Sequence, residues 1–246
     1  GVVWGNAIAM TVMGLLYGAS AYGLAKSQWG RSWLFADWAH LKGRRKEIFS
    51  FLAFNDLNAL LGMISKQLDV VILGYFRNST EVGYYKLAKS LAGVMGYITG
   101  PLQAVLYPRW AQAQAIQSRG AVRAQGWHLT RSVGLPLALV LVLAIPFASV
   151  TLIFTGEAYK SSISLLRLFL ILTAWQTMFF WIRPAYWSVG MLSDFIFISI
   201  VSEIILFLGW LILIPIFGAT GSILVTIFVS IFHVTWLLLK FQLKAI

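Results

Sequence analysis

The sequence predicts an all-α polytopic membrane protein with about seven transmembrane helices, and three observations carry that prediction. The chain is 59% hydrophobic and only 11% charged, about half the charged share of a soluble domain, with a mean hydropathy of +0.80. Seven apolar segments, near 1–24, 48–75, 83–108, 132–154, 161–183, 194–216 and 219–239, are each long enough to cross a hydrocarbon core about 30 Å thick at about 1.5 Å per residue. Lysine and arginine alternate sharply between the connections. An ordinary cytosolic protein is excluded.

The first segment opens at Gly1 with no methionine and no charged flank, and no signal peptide is visible in it, since the n-region and cleavage pattern are absent. A lone helix, a basic connection and then six helices suggest the last helix of one bundle (1–24), an interlobe loop (25–47), and a complete second bundle with a short tail (48–246). On this expectation the chain is a fragment whose first lobe lies upstream. The loop 25–47 holds Lys26, Arg31, Lys42, Arg44, Arg45 and Lys46, beside Trp29, Trp33 and Trp38. The connection 109–131 holds Arg109, Arg119, Arg123 and Arg131, and Arg183, Lys240 and Lys244 fall on the same side. These thirteen cations face two, Arg77 and Lys160, in the opposite loops 76–82, 155–160 and 217–218. The positive-inside rule then puts the basic loops and the C-terminus in the cytoplasm. The net charge of +11 is thus explained by topology, and no nucleic-acid partner is expected. The 11 tryptophans suit interfacial belts, with sugar stacking as a second role.

The second span carries the main functional signal. Asn55, Asn58, Gly62, Lys66 and Asp69 recur at helical spacing and share an arc of roughly 80°. A lysine or aspartate at the centre of a membrane helix costs about 2.5 to 3.5 kcal/mol on insertion scales, so such a stripe needs a partner, a cavity or a passenger. In the third span Lys86, Lys89, Ser90, Gly93, Tyr97 and Gly100 fall on one face. Gly93, Gly96 and Gly100 are expected to permit close helix packing. The two lysines have two readings, a cavity or snorkelling to the outer surface, and Asp69 is expected to pair with Lys66, Lys86 or Lys89. The substrate path is therefore expected at Asn55, Asn58, Lys66, Asp69, Lys86, Lys89 and Tyr97. Gln67 adds a further polar contact. Asp56, Asp69 and Glu203 are the in-membrane carboxylates available for proton or sodium coupling.

Other chemistry finds no support. Cysteine is absent, removing disulfides, thiolate nucleophiles and cysteine-zinc sites. No phosphate-cradling G-x-x-x-x-G-K-[ST] loop and no G-x-S-x-G elbow occur. His40, His128 and His233 are far apart without acidic partners, so neither a metal site nor a serine-histidine relay is expected. His233 reads as a hydrogen-bonded packing residue, with a proton relay as the alternative. Asn78-Ser79-Thr80 matches a glycosylation sequon but hugs the membrane. No cofactor is expected, and the chain is not expected to be an enzyme.

Several stretches resemble one family. Gln67-Leu68-Asp69-Val70-Val71-Ile72-Leu73-Gly74-Tyr75-Phe76, Glu81-Val82-Gly83-Tyr84-Tyr85-Lys86-Leu87-Ala88, Pro101-Leu102 and Leu106-Tyr107-Pro108 resemble the middle of the Wzx-type polysaccharide and O-antigen flippases. These belong to the multidrug/oligosaccharidyl-lipid/polysaccharide exporter superfamily. Phe154-Thr155-Gly156-Glu157-Ala158-Tyr159 with Leu165-Leu166-Arg167 is similar to that family's loop between its ninth and tenth helices, and Val189-Gly190 and Gly218-Ala219-Thr220-Gly221 continue the pattern.

The resemblance implies a two-lobe exporter, six helices to a lobe, around a cavity open alternately to either side. It implies an undecaprenyl-diphosphate-linked oligosaccharide as passenger across the bacterial inner membrane, for cell-surface polysaccharide such as lipopolysaccharide O-antigen. Membrane lipids, the upstream lobe, a polysaccharide polymerase and a chain-length regulator are the implied partners. Without the first lobe, transport is not expected. A multidrug cation exporter would prefer acidic cavity groups, whereas Lys66, Lys86, Lys89 and Arg167 outnumber Asp56, Asp69 and Glu203 in the spans. An exporter of another lipid-linked precursor is a further alternative. A membrane glycosyltransferase or ligase would need a large external loop with catalytic groups, and the external loops hold only Glu81 and Glu157, expected as turn and interface residues. A scaffold subunit is the remaining alternative.

Overall fold

Apolar runs with few side-chain hydrogen bonders satisfy their backbone groups within helices. The computed structural model describes residues 2–30, 43, 45–113 and 119–243, and those residues contain helices and no strand. Three stretches among them are long and apolar enough to cross a membrane: Gly120–Ala144, Ser162–Ser188 and Leu192–Leu243. This fits a helical membrane protein. The chain divides into two compact units, Gly1–Leu52 and Ala53–Ile246.

In the first unit, α1 (Val2–Trp29) runs five residues beyond the expected 1–24. Its apolar side chains, including Met10, Leu15, Leu16 and Tyr17, are exposed, as befits a helix that is apolar around its circumference. Residues 31–42, with Trp33, Trp38, Arg31 and His40, lie outside the described residues, as does Arg44. The next helix, α2 (Arg45–Phe76), covers the residues of the expected 48–75 segment, most of them in the second unit.

In the second unit, Asn78 caps α3 (Ser79–Gly93), its side chain accepting from the Glu81 N–H at 2.8 Å. This capping role accounts for the sequon-like asparagine. The expected single span 83–108 is two helices, α3 and α4 (Gly96–Ala113), broken at Val94 and Met95. The cause is local: Gly93 and Gly96 lower helix propensity, and Pro101 has no N–H to give to Tyr97 and clashes with its carbonyl. Backbone bonds there tighten to Tyr97 N to Val94 O and Ile98 N to Met95 O.

The described residues of the basic connection 109–131 are helical. After α4, α5 (Arg119–Leu129) runs through a π-helical turn at Thr130–Gly134 into α6 (Leu135–Ala144), so this crossing begins well before the expected residue 132. Pro136 follows the π-helical turn, whose widened register takes up the backbone bond that proline cannot donate. Pro146 then diverts the chain into a 3₁₀ turn, and α7 (Leu152–Thr155) finishes the expected 132–154 segment. The segment 161–183 becomes α8 (Ser162–Met178) and α9 (Ile182–Ser188), interrupted at Phe179–Trp181.

The last helix, α10 (Leu192–Leu243), is 52 residues long but reverses at Gly218, where φ 59 and ψ −139 are non-helical. Its arms, 192–217 and 219–243, lie antiparallel: Trp210 reaches Ser222 and Thr226, His233 reaches Ser202, and Lys240 faces Asp194. Each arm is about 37 to 39 Å long, matching the expected spans 194–216 and 219–239. The glycines that permit close approach are Gly209 and Gly221 at this hairpin, Gly134 against the Met178 carbonyl, and Gly126 against the Trp181 ring. The expected packing at Gly93, Gly96 and Gly100 is not observed, since a Cβ on any of them meets nothing within 4 Å among the described residues.

The ends of this bundle sort as the loop lengths predict. At one end the turn after α2 grips the α10 reversal: the Arg77 guanidinium donates to the carbonyls of Pro215 (2.9 Å) and Ile216 (3.1 Å), and the Glu81 carboxylate accepts from Ala219 N–H (2.7 Å). Tyr84 meets Tyr159 edge-on there. Glu81 is thus the expected turn residue, and Glu157 opens a short 3₁₀ turn. At the other end, Trp110, Val122, Trp181, Tyr186, Leu237 and Phe241 form one buried cluster, near the cations Arg109, Arg123, Arg183 and Lys240.

Candidate functional site: a cation-lined cavity between α2, α3, α8 and α10

The geometry of α3 puts Tyr85, Ala88 and Ala92 inward, while Lys86, Lys89, Ser90 and Gly93 line a cavity of about 890 Å³. Small Ala88 and Ala92 let α3 approach α8, where Phe169 packs edge-on against Tyr85. From α2 the cavity receives Gly62, Gln67 and Asp69; from α8, Thr173 and Gln176; from α10, Glu203, Trp210 and Thr226. Tyr97, at the start of α4, adds its exposed ring.

Asp69 is the buried centre of a polar chain. Its Oδ2 accepts from the Tyr85 hydroxyl at 2.6 Å and from the Lys89 ammonium. Tyr85 has one proton and gives it to Asp69, so Ser222, 3.1 Å away, is the donor to the phenol oxygen. The Ser222 carbonyl then accepts from Thr226 Oγ1 (2.8 Å) and Trp210 Nε1 (3.3 Å). Asp69 is 3% exposed while the Lys89 side chain is 30% exposed. The carboxylate is therefore sealed in the helix packing and the ammonium bridges from it to the cavity surface. A buried carboxylate is tolerated only when paired and hydrogen-bonded, and both conditions are met.

Of the residues expected on the path, Asp69, Lys86, Lys89 and Tyr97 line one cavity, and Lys89 is the partner of Asp69. Glu203 is there too. The side chains of Asn55, Asp56, Asn58 and Lys66 lie outside the described residues, although their backbone is part of α2. Lys86 is exposed and lines the cavity. Sequence reasoning missed Thr173, Gln176, Ser222 and Thr226. Ser222 and Thr226 share a face of α10 at i, i+4 spacing; a small polar pair in an otherwise apolar helix was the available signal.

A second cavity of about 240 Å³ shares Gly62, Gln176, Glu203, Leu206 and Thr226 with the first and extends it to Arg183, Ser199, Ser202, Ser230 and His233. His233 Nδ1 lies 3.0 Å from Ser202 Oγ, as expected of a hydrogen-bonded packing histidine. No group of three histidine or acidic side chains that could hold a metal occurs among the described residues.

The large cavity's described lining thus offers Lys86 and Lys89 beside the carboxylates Asp69 and Glu203, with amides, hydroxyls and aromatic rings. Such a lining suits a polar, charged passenger. The sequence model of the polysaccharide biosynthesis protein family matches residues 7–164, well over half of the chain. The chain therefore belongs to the polysaccharide biosynthesis protein family, consistent with its resemblance to the Wzx-type flippases. Comparisons with curated proteins and with solved structures returned no match.

Proposed function

We propose that this chain is the C-terminal part of a flippase that carries a polyprenyl-diphosphate-linked oligosaccharide across the bacterial inner membrane by alternating access, its C-terminus cytoplasmic. The observation that carries the reading is the pairing pattern in the large cavity. Asp69, the buried carboxylate, is neutralised by Lys89, and Lys86 adds a second cation to the same wall. Among the described residues, the α2–α3 wall thus keeps one positive charge in excess, at Lys86, with Glu203 across the cavity on α10. That excess is where an anionic diphosphate would be held in a medium of low dielectric. Gln67, Thr173, Gln176 and Tyr97 supply the donors and the ring face that a sugar needs. A multidrug cation exporter would need an acidic excess, which Lys86 and Lys89 against Asp69 and Glu203 do not give. A glycosyltransferase would need a catalytic group on this cavity placed to take or give a proton to substrate, and the acidic side chain held most firmly there is committed to Lys89 and Tyr85.

Transport requires the upstream lobe, the second wall of the cavity in this reading. The energy source is an ion gradient or the concentration difference of the lipid itself. In the full-length protein, Lys86→Ala should cut glycan export severalfold at normal abundance, and Lys86→Arg should retain part of it because the charge survives. Export is read from the surface glycan profile of a strain lacking its own exporter. Undiminished export by Lys86→Ala and Lys89→Ala together, at wild-type abundance, would remove the cationic wall from the mechanism.

A further inference from the structure

Arg183 is the second residue of α9 and is exposed. Its guanidinium stacks over the Trp187 ring, 4.8 Å from the ring centroid, and Trp187 meets Tyr107 edge-on at 6.0 Å. Among the described residues it has no hydrogen bond and no ion pair. Arg77 is the contrast, since its guanidinium is consumed by carbonyls of the α10 reversal.

Arg183 also lines two cavities. One is the 240 Å³ extension of the central cavity, with Gln176 and Glu203 on the shared wall. The other, of about 220 Å³, is held between α4 and α9 by Gln103, Ala104, Tyr107, Pro184 and Trp187. The same cation therefore stands at the partition between the central cavity and a mostly apolar recess on a different pair of helices. Stacking occupies only the face of the guanidinium, and its in-plane N–H donors keep the fork geometry that matches a phosphate bidentately.

We infer that Arg183, with Gln103 and Tyr107, forms a vestibule subsite that takes the diphosphate of the polyprenyl carrier before it passes to the Lys86 and Lys89 wall. This rests on the flippase reading. Ala104, Pro184 and Trp187 offer apolar surface to the first isoprene units while the diphosphate meets Arg183. An ordinary interfacial arginine anchoring bilayer phospholipid would have no need to line the extension of the central cavity as well, and that separates the carrier from a phospholipid as occupant.

The test is binding of undecaprenyl diphosphate and of phosphatidylglycerol to the detergent-purified full-length protein, comparing wild type with Arg183→Ala, Arg183→Lys, Gln103→Leu and Lys86→Ala. Arg183→Ala should weaken undecaprenyl diphosphate binding roughly tenfold or more, the usual effect of losing hydrogen bonds to a charged group. Arg183→Lys should recover only part, because an ammonium cannot form the fork. Phosphatidylglycerol binding should not change. If Arg183→Ala does not accumulate, weaker undecaprenyl diphosphate binding by both Arg183→Lys and Gln103→Leu carries the same expectation, and wild-type binding by both overturns it. Wild-type affinity in Arg183→Ala beside a loss in Lys86→Ala overturns the vestibule and leaves the flippase reading standing. Equal loss of phosphatidylglycerol binding makes Arg183 a lipid anchor and overturns the vestibule. No binding of undecaprenyl diphosphate by the wild type removes vestibule and flippase reading together.

Discussion

At the scale of single residues, Asp69 decides the most. Its carboxylate satisfies Lys89 and Tyr85 at once, and Tyr85 passes the connection to Ser222 on α10. Removing the ammonium leaves a buried charge without its counter-ion. Lys89→Met should therefore destabilise the protein by about 3 kcal/mol, the lower end for breaking a buried pair because the lysine is partly exposed. Adding Asp69→Asn to Lys89→Met should restore part of that loss. Tyr85→Phe removes one bond to a charged acceptor and strands the Ser222 hydroxyl, costing about 1.5 to 3 kcal/mol. Thermal unfolding in detergent reads all three. A double variant as unstable as Lys89→Met alone would show that the pairing of Asp69 is not what the lysine supplies.

At the scale of elements, the α10 hairpin depends on one residue and one clamp. Gly218 adopts a positive φ, and a Cβ there would lie 2.1 Å from the Glu81 carboxylate oxygen that holds Ala219 N–H. Gly218→Ala thus meets both a strained backbone and a displaced cap. Its loss of stability should exceed that of Gly93→Ala, whose Cβ enters open space. Arg77→Ala should loosen the same reversal by leaving the terminal carbonyls of the first arm without a donor. Limited proteolysis near 216–220 should be faster in Gly218→Ala and Arg77→Ala than in wild type. Equal rates in all three would deny the clamp its role. The broken helices have the same local origin, since glycine and proline weaken the i to i−4 ladder and neighbouring helices fix where the break falls.

At the scale of the whole molecule, bundle topology generates a prediction about sides. The turns carrying Asn78 and Gly218 meet at one end of the second unit, and Trp110, Trp181 and Phe241 meet at the other. In the cysteine-free chain, single cysteines at Asn78 and Glu157 should label from outside intact cells. Cysteines at Arg123 and Lys240 should label only after the membrane is opened. Labelling of positions 78 and 240 from one side would break the proposed topology.

By itself the sequence determined the helical membrane class, the family, and the grouping of short and basic connections at opposite ends. Hydropathy and charge are local properties, legible a segment at a time. It also marked Asp69, Lys86, Lys89 and Tyr97, because polar and charged groups in an apolar helix are conspicuous wherever the helix goes. Only the tertiary structure decided that Lys89 rather than Lys86 holds Asp69, that Tyr85 and Ser222 complete the chain, that Gln176 and Thr173 share the wall, and that Arg183 joins two cavities. The partners of Asp69 are 16, 20 and, through Tyr85, more than 150 positions away. Such contacts depend on how rigid helices cross, and packing sets the crossing through small residues distributed over several helices. No single window of the sequence contains them.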